Sequence, residues 1–273
     1  MRRIGVALGV AFLVVFCLAP FLWTVLTSVK PGPEVFAMPP TYLPRALSAE
    51  NYTGVLEQRP FARYLLNSLI VAAASTALAL TAGALAAYGI ARLRMRAAGT
   101  IEKGIFLFAL FPPAILLAPL RGAVLTVGLM NSYVALILVH AALNVPFAVW
   151  MLAAFFRQMP KELEDAARVD GFSRLQILSR IVLPVSAPAL AATAILVFIF
   201  SWNEFVIALA FMTRDEMRTL PVGISLLSGA TAYEIPWGQI CAAVVMTTLP
   251  VTAAVLAFQR WIISGLTAGA VKG

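Results

Sequence analysis

The sequence predicts an all-α integral membrane protein of six transmembrane helices. Apolar residues make up 62% of its 273 residues and charged residues only 12%, against about 25% charged in a typical soluble domain. Its mean hydropathy is +0.93. The apolar residues also gather into six runs, at 4–29, 64–91, 104–120, 133–156, 187–212 and 239–259, where a spanning helix needs roughly 20 residues. These runs use nearly the whole chain, so residues 1–273 are expected to form one transmembrane domain.

The first run follows Arg2 and Arg3 and continues to Val29. That is longer than the apolar core of a secretory signal, about 7–15 residues, so it is expected to be a retained anchor. Residues 30–62 form a first loop whose prolines oppose a long helix, although "SAENYTGVLEQ" suits a short one. The second run, "VAAASTALALTAGALAAYG", is rich in small residues. Small side chains let membrane helices approach closely, so this helix is expected to lie against its neighbours.

A short basic loop, "ARLRMRAAGTIEKG", leads to the third run, which Pro112, Pro113 and Pro119 interrupt. Spans tolerate proline where neighbouring groups satisfy the freed carbonyls. The fourth run holds the only histidine, His140, then Asn144 and Pro146. The residue before a proline avoids helical geometry, which predicts a kink. A lone His in a span is read as a packed or interhelical hydrogen-bonding residue. The fifth run carries "FSWNEF", with Glu204 its one acid. Counted from Pro188, Glu204 lies about 24 Å along the helix at 1.5 Å per residue, near an interface. Two readings stay open for it: bonding to a neighbouring helix, or lining a polar pathway.

The net charge of +8 does not imply a nucleic-acid partner once the charges are placed on this topology. With the N-terminus inside, the inner basic residues are Arg2, Arg3, Arg92, Arg94, Arg96, Lys103, Arg157, Lys161, Arg168, Arg174, Arg180, Arg260 and Lys272. They are the majority of the 20, which is the positive-inside bias that sets orientation. Both termini are expected on the cytoplasmic side. Cys17 and Cys241 fall inside runs without a paired spacing and read as inert packing. No Walker A pattern, nucleophile elbow or HExxH occurs, so passage, anchoring or signalling is expected rather than catalysis, with no cofactor or metal held by this chain.

Between the fourth and fifth runs lies "ELEDAARVDGFSRLQILSRIVLP", residues 162–184. Pro160 suits a first helical turn. Glu162, Glu164 and Asp165 complement the positive end of a helix dipole. Leu163, Ala166 and Ala167 recur at i, i+3 and i+4, a low-relief strip on which another surface can lie. Gly171 is placed to stop the helix in a left-handed turn, and Ser173 with Gln176 has the form of a capping box that restarts it. Leu183–Pro184 is expected to end the second piece. The predicted object is a rigid helix–break–helix suited to docking.

This segment resembles the "EAA" loop of ABC importer permeases, patterned E-A-A, three residues, G, nine residues, I-x-L-P. Here the match reads Asp165-Ala166-Ala167, Gly171 and Ile181-Val182-Leu183-Pro184, with Asp165 at the motif's Glu position and Glu164 beside it. "PFAVWMLAAFFRQMPKELEDAARVDG", "FIFSWNEF" and "QRWIISGLTAGAVKG" are similar to the shorter, six-span subunit of the carbohydrate-uptake, maltose-permease-like branch. The resemblance covers nearly the whole chain. It implies the type I importer fold, with a core permease domain over about 64–260, a cytoplasmic coupling loop at 157–186, an outer loop at 213–238 and a cytoplasmic tail at 260–273.

The resemblance further implies a heteromeric complex in a bacterial or archaeal inner membrane. Its expected members are a second, unlike permease, two ATPases carrying ATP and Mg, and an extracytoplasmic sugar-binding protein that delivers a di- or oligosaccharide such as maltose or trehalose. By the same resemblance Glu164, Asp165, Ala166, Ala167, Asp170, Gly171, Ile181, Leu183 and Pro184 belong to the ATPase-coupling loop. Asn144, Asn203 and Glu204 are carried over as pathway residues, and Leu227, Ser228, Gly229, Ala230 and Thr231 as a loop reaching the binding protein. Gly265, Gly269, Lys272 and Gly273 are carried over as a tail touching the ATPases. The competing reading is an ion-coupled carrier or channel, which usually sets ionisable groups at the midplane on broken helices; the sequence shows no evident pair of half-helices. A membrane-embedded enzyme lacks any catalytic constellation.

Overall fold

The computed structural model describes residues 2–93, 95–110, 112–227 and 235–270, with backbone alone at 2, 258 and 260–270. The described residues form helices and turns. In chain order the helices are α1 Arg2–Ser28, α2 Gly32–Val35, α3 Glu50–Gln58, α4 Phe61–Arg92, α5 Ala98–Ala109, α6 Pro113–Thr126 and α7 Tyr133–Gln158. There follow α8 Glu162–Val169, α9 Arg174–Ile177, a π-helical stretch Leu178–Val182, α10 Leu183–Val185, α11 Ala187–Trp202, α12 Val206–Phe211, α13 Leu220–Ser225 and α14 Trp237–Ala270. Among these, α1, α4, α7 and α14 are each long and apolar enough to cross a membrane, and the count reaches six if two bent pairs are each one span. The runs expected at 4–29, 64–91, 133–156 and 239–259 all match single helices.

The other two runs are corrected. The run at 104–120 is no single rod: α5 and α6 meet at 92°. Pro112 holds extended backbone and Pro113 starts α6, because the residue before a proline cannot stay helical without a clash. Pro119 is accommodated inside α6. The run at 187–212 is divided, since α11 ends at Trp202 and α12 begins only at Val206. Leu183–Pro184 does not end the preceding piece either. Helix continues to Val185, with Pro184 in the first turn of α10, and the 81° bend into α11 falls at Ser186. The segment at 213–238, expected to be a loop, contains α13 and a short 3-10 turn, Asp215–Met217.

The chain groups into two compact units, Met1–Leu65 with Leu220–Val251, and Leu66–Thr219 with Thr252–Gly273. In the first, Asn51 Nδ2 donates to Ser28 O at 3.0 Å and Lys30 O at 2.7 Å, capping carbonyls that end α1. Glu34 accepts from the Thr41 hydroxyl at 2.7 Å and the Arg45 backbone N–H at 3.0 Å, and these bonds hold its carboxyl below the usual carboxylate range. Gly223 is required where it stands, since a Cβ there would come within 2.2 Å of the buried Tyr64 ring. Upstream, residues 3–23 of α1 are exposed along their length.

The second unit is built on α4, α7 and α11. Ala84, Ala87 and Tyr88 of α4 pack with Leu152, Ala153 and Phe156 of α7, and with Ala167, Ile177, Leu178 and Val182 beyond it. A second cluster joins Ala79, Ala141, Ala148 and Val197. The small residues of α4 thus do what their size suggests: a Cβ on Gly83 would meet the Ala148 Cβ at 2.7 Å. Because Ala148 is fully buried, Gly83→Ala is expected to destabilise by about 1–3 kcal/mol through overpacking. Thermal unfolding of the solubilised protein should show the loss, and adding Ala148→Gly should recover most of it. An unshifted midpoint for Gly83→Ala would refute the close contact.

Candidate functional site

The segment 157–186 is shaped by local chemistry. Helix α8 opens on Glu162, Glu164 and Asp165, with Pro160 lying before its Lys161 cap rather than in its first turn. It ends in a Schellman arrangement: Phe172 N donates to Ala167 O at 3.0 Å and Gly171 N to Arg168 O at 3.1 Å. Gly171 carries this turn at φ +81°, a conformation L side chains adopt only at a cost. Ser173 then closes a capping box, its Oγ accepting from Gln176 N while its own N–H donates to Gln176 Oε1 at 2.8 Å.

The faces of α8 differ from the expected strip. Ala167 is turned inward beside the buried Glu164, and these are the two buried residues of the helix. Leu163, Ala166, Asp165 and Val169 remain outward, Val169 at 88% exposure. The strip Leu163–Ala166–Ala167 is therefore corrected to an outward Leu163 and Ala166. The physical reason is a charge the strip overlooked. Glu164 Oε1 pairs with Arg92 Nε, with both side chains 3% exposed, and Tyr88 Oη lies 3.5 Å from Glu164 Oε2. A buried carboxylate needs such a partner, and the partner sits where α4 ends. Asp170 is the α8 C-cap, Leu183 and Ile181 are half-buried, and Pro184 is exposed.

A second polar cluster lies at the break between α11 and α12. Glu204 Oε1 accepts from Ile207 N at 2.8 Å and Oε2 from Ala208 N at 3.0 Å. Its carboxylate thereby caps N–H groups in the first turn of α12 that have no partner within the helix. The same Oε2 lies 3.2 Å from His140 Nε2, and His140 Nδ1 lies 2.8 Å from Ser201 Oγ. Ser201 Oγ in turn meets Ser75 Oγ at 2.8 Å. The carboxylate at Oε2 accepts from an Nε2–H, and the Nδ1 contact with Ser201 takes whichever direction the ring tautomer allows. The cluster thus ties α4, α7, α11 and α12 together. At the far end of α12, Arg121 Nη1 donates to Ala210 O at 2.7 Å.

Glu204 bonds to a neighbouring helix through His140, an interhelical hydrogen-bonding residue, and this bond is compatible with either reading of Glu204. Asn144 Nδ2 donates to His140 O at 2.8 Å, and the exposed Asn203 bonds back to Ile199 O at 2.8 Å. Arg92, Tyr88, Arg121, Ser75 and Ser201 escaped the sequence reading. Arg92 closing an apolar run was visible, but nothing local tied it to an acid far along the chain. Leu227 is half-buried. Ser228, Gly229, Ala230, Thr231, Lys272 and Gly273 lie outside the described residues, and Gly265 and Gly269 fall within the backbone of α14. Among the described residues no cluster of His, Cys, Asp and Glu is arranged to hold a metal.

Broken helices do occur here, at Asn203–Phe205 and between α5 and α6, so their apparent absence from the sequence no longer argues against a carrier. Comparison with known proteins bears on the choice. The family described as "Binding-protein-dependent transport system inner membrane component" matches residues 60–267. The trehalose/maltose transport system permease protein MalG of Thermococcus litoralis is 40% identical, over 100% of this chain and 98% of its own length. The sulfoquinovosyl glycerol transport system permease protein SmoH of Agrobacterium fabrum is 39% identical, over 97% and 93%. The trehalose transport system permease protein SugB of Mycobacterium tuberculosis is 36% identical, over 94% and 93%. In fold, the chain is similar to one in a crystal structure of a bacterial ABC transporter that imports the acidic polysaccharide alginate. That match has TM-score 0.79 and 22% identity, and covers 95% of this chain and 96% of that one.

Proposed function

The chain belongs to the family of binding-protein-dependent transport system inner membrane components, and we propose that residues 1–273 act as one transmembrane domain importing a di- or oligosaccharide. It is a multi-pass permease subunit of an ABC importer, not an enzyme. In the proposed complex it pairs with a second, unlike permease, with two ATPases that hold ATP and Mg, and with an extracytoplasmic sugar-binding protein. Both termini and the segment 157–186 face the ATPases. Support for a sugar comes from the names of the 40% and 36% identical relatives, which carry trehalose/maltose and trehalose.

One observation carries the coupling role. A short capped helix, stopped by Gly171 in a left-handed turn and restarted by a capping box, presents Leu163, Ala166 and Val169 outward. That is a preformed knob, and a preformed shape lowers the entropy lost on docking. Asn144, Asn203 and Glu204 are proposed to lie along the translocation pathway. Leu227 to Thr231 are proposed to meet the binding protein, and Gly265, Gly269, Lys272 and Gly273 the ATPases.

Purification of the tagged chain from native membranes in mild detergent is expected to bring an ATP-hydrolysing subunit with it. Proteoliposomes of that complex should take up labelled maltose or trehalose only with ATP inside and binding protein outside. Uptake by the chain alone, in liposomes free of ATP and driven by an ion gradient, would sink the reading in favour of a secondary carrier.

A further inference from the structure

Helix α8 is held to its own chain by very little apolar surface. Its buried residues are Glu164 and Ala167 alone. The carboxylate is where the contacts concentrate. Glu164 pairs with Arg92 through Oε1, while Oε2 lies 3.5 Å from Tyr88 Oη and 3.4 Å from Arg168 Nη2. Tyr88 and Arg92 stand one turn apart on α4, and Glu164 and Arg168 one turn apart on α8, the spacing that puts each pair on one helix face.

Arg92 does more than neutralise Glu164. Its Nη1 donates to Phe156 O at 3.2 Å and Met159 O at 2.9 Å, and its Nη2 to Pro160 O at 3.3 Å. These carbonyls lie at the end of α7, where a helix leaves carbonyls without partners of its own. A single planar guanidinium, whose five donors keep a fixed fork, therefore joins the end of α4, the end of α7 and the start of α8. A buried ion pair of this kind adds little net stability over an apolar pair. It does fix direction, because the fork and the carboxylate meet in one relative orientation.

We propose that the buried Arg92–Glu164 pair is a strut that positions α8 against α4 and α7, so that movement imposed on α8 by the ATPase is carried into the spans. This rests on the importer reading above. Arg92, Glu164 and Tyr88 are positioning residues: without the strut, α8 still docks but slides against a single alanine instead of moving the helices behind it.

The test uses the complete transporter in proteoliposomes and reads sugar carried per ATP hydrolysed, which does not depend on the amount of protein recovered. Glu164→Gln keeps side-chain volume and removes the charge. It is expected to lower sugar per ATP about tenfold, whatever hydrolysis the complex retains, within the range usual for coupling between distant sites. Arg92→Lys keeps the charge and loses the fork, so a smaller fall is expected. The double variant should be no worse than Glu164→Gln alone, because the two groups act through one contact. If Glu164→Gln does not assemble, Arg92→Lys alone decides by the same ratio. A ratio within about twofold of wild type in the variants that assemble overturns the strut. Failure of the wild-type chain to bring down any ATPase would instead overturn the importer reading itself.

Discussion

Gly171→Trp is expected to abolish uptake while leaving the chain inserted in the membrane. Two separable effects meet at this residue. The backbone stands at φ +81°, and a Cβ there would touch nothing within 4 Å of the same chain. A methyl there is therefore free of steric conflict within the chain, and its cost is conformational, about 1–2 kcal/mol for an ordinary L residue in the left-handed region. A substitution series separates the two. Gly171→Asn tolerates the left-handed turn and adds a small polar group, so it should keep most of the uptake. Gly171→Ala carries the full backbone cost with minimal bulk and should fall between. Gly171→Trp adds a large ring where the proposed ATPase surface packs, and uptake should drop to background with the ATPase no longer copurifying. Uptake is normalised to permease recovered in the membrane. If Trp transports as well as Asn, the turn touches no partner and coupling through this segment is lost as an explanation.

The elements legible in the sequence were those specified locally. α1, α4, α7 and α14 each carry enough consecutive apolar residues to span, and that property needs no knowledge of neighbours. The same holds for the turn at Gly171 and the box at Ser173–Gln176, where the partners lie within five residues. The break at Asn203–Phe205 was not legible, because "FSWNEF" contains no proline or glycine and lies within a long apolar run. It forms because Glu204 bends back onto the N–H groups of Ile207 and Ala208 and is held there by His140 from another helix. The inward face of α8 was hidden for the same reason. Leu163, Ala166 and Ala167 read as one docking strip until Arg92, distant in sequence, supplies a buried partner for Glu164 and Ala167 turns inward with it. Conversely, the prolines at 112 and 113 were visible, but the 92° between α5 and α6 follows from packing they do not encode.

Glu204→Ala is expected to be the most destabilising single change in the fifth apolar run. It strips acceptors from Ile207 N, Ala208 N and His140 Nε2 at once. Each buried donor left without a partner costs about 1–3 kcal/mol, and apolar surroundings offer little water in compensation. Part of that loss is offset, because a half-buried carboxylate no longer has to be kept from water. The net expectation is a destabilisation on the order of 3 kcal/mol, seen as an earlier thermal unfolding of the purified complex. Glu204→Gln keeps one acceptor oxygen and points an amide at the remaining donors, so it should lose roughly half as much. His140→Ala removes only the ring bonds, and Ser201 keeps Ser75 as a partner. Because His140 and Glu204 share one hydrogen bond, the double variant should cost less than the two single losses added. Strict additivity, or an unchanged midpoint for Glu204→Ala, would mean that the break between α11 and α12 is held by packing and not by this carboxylate.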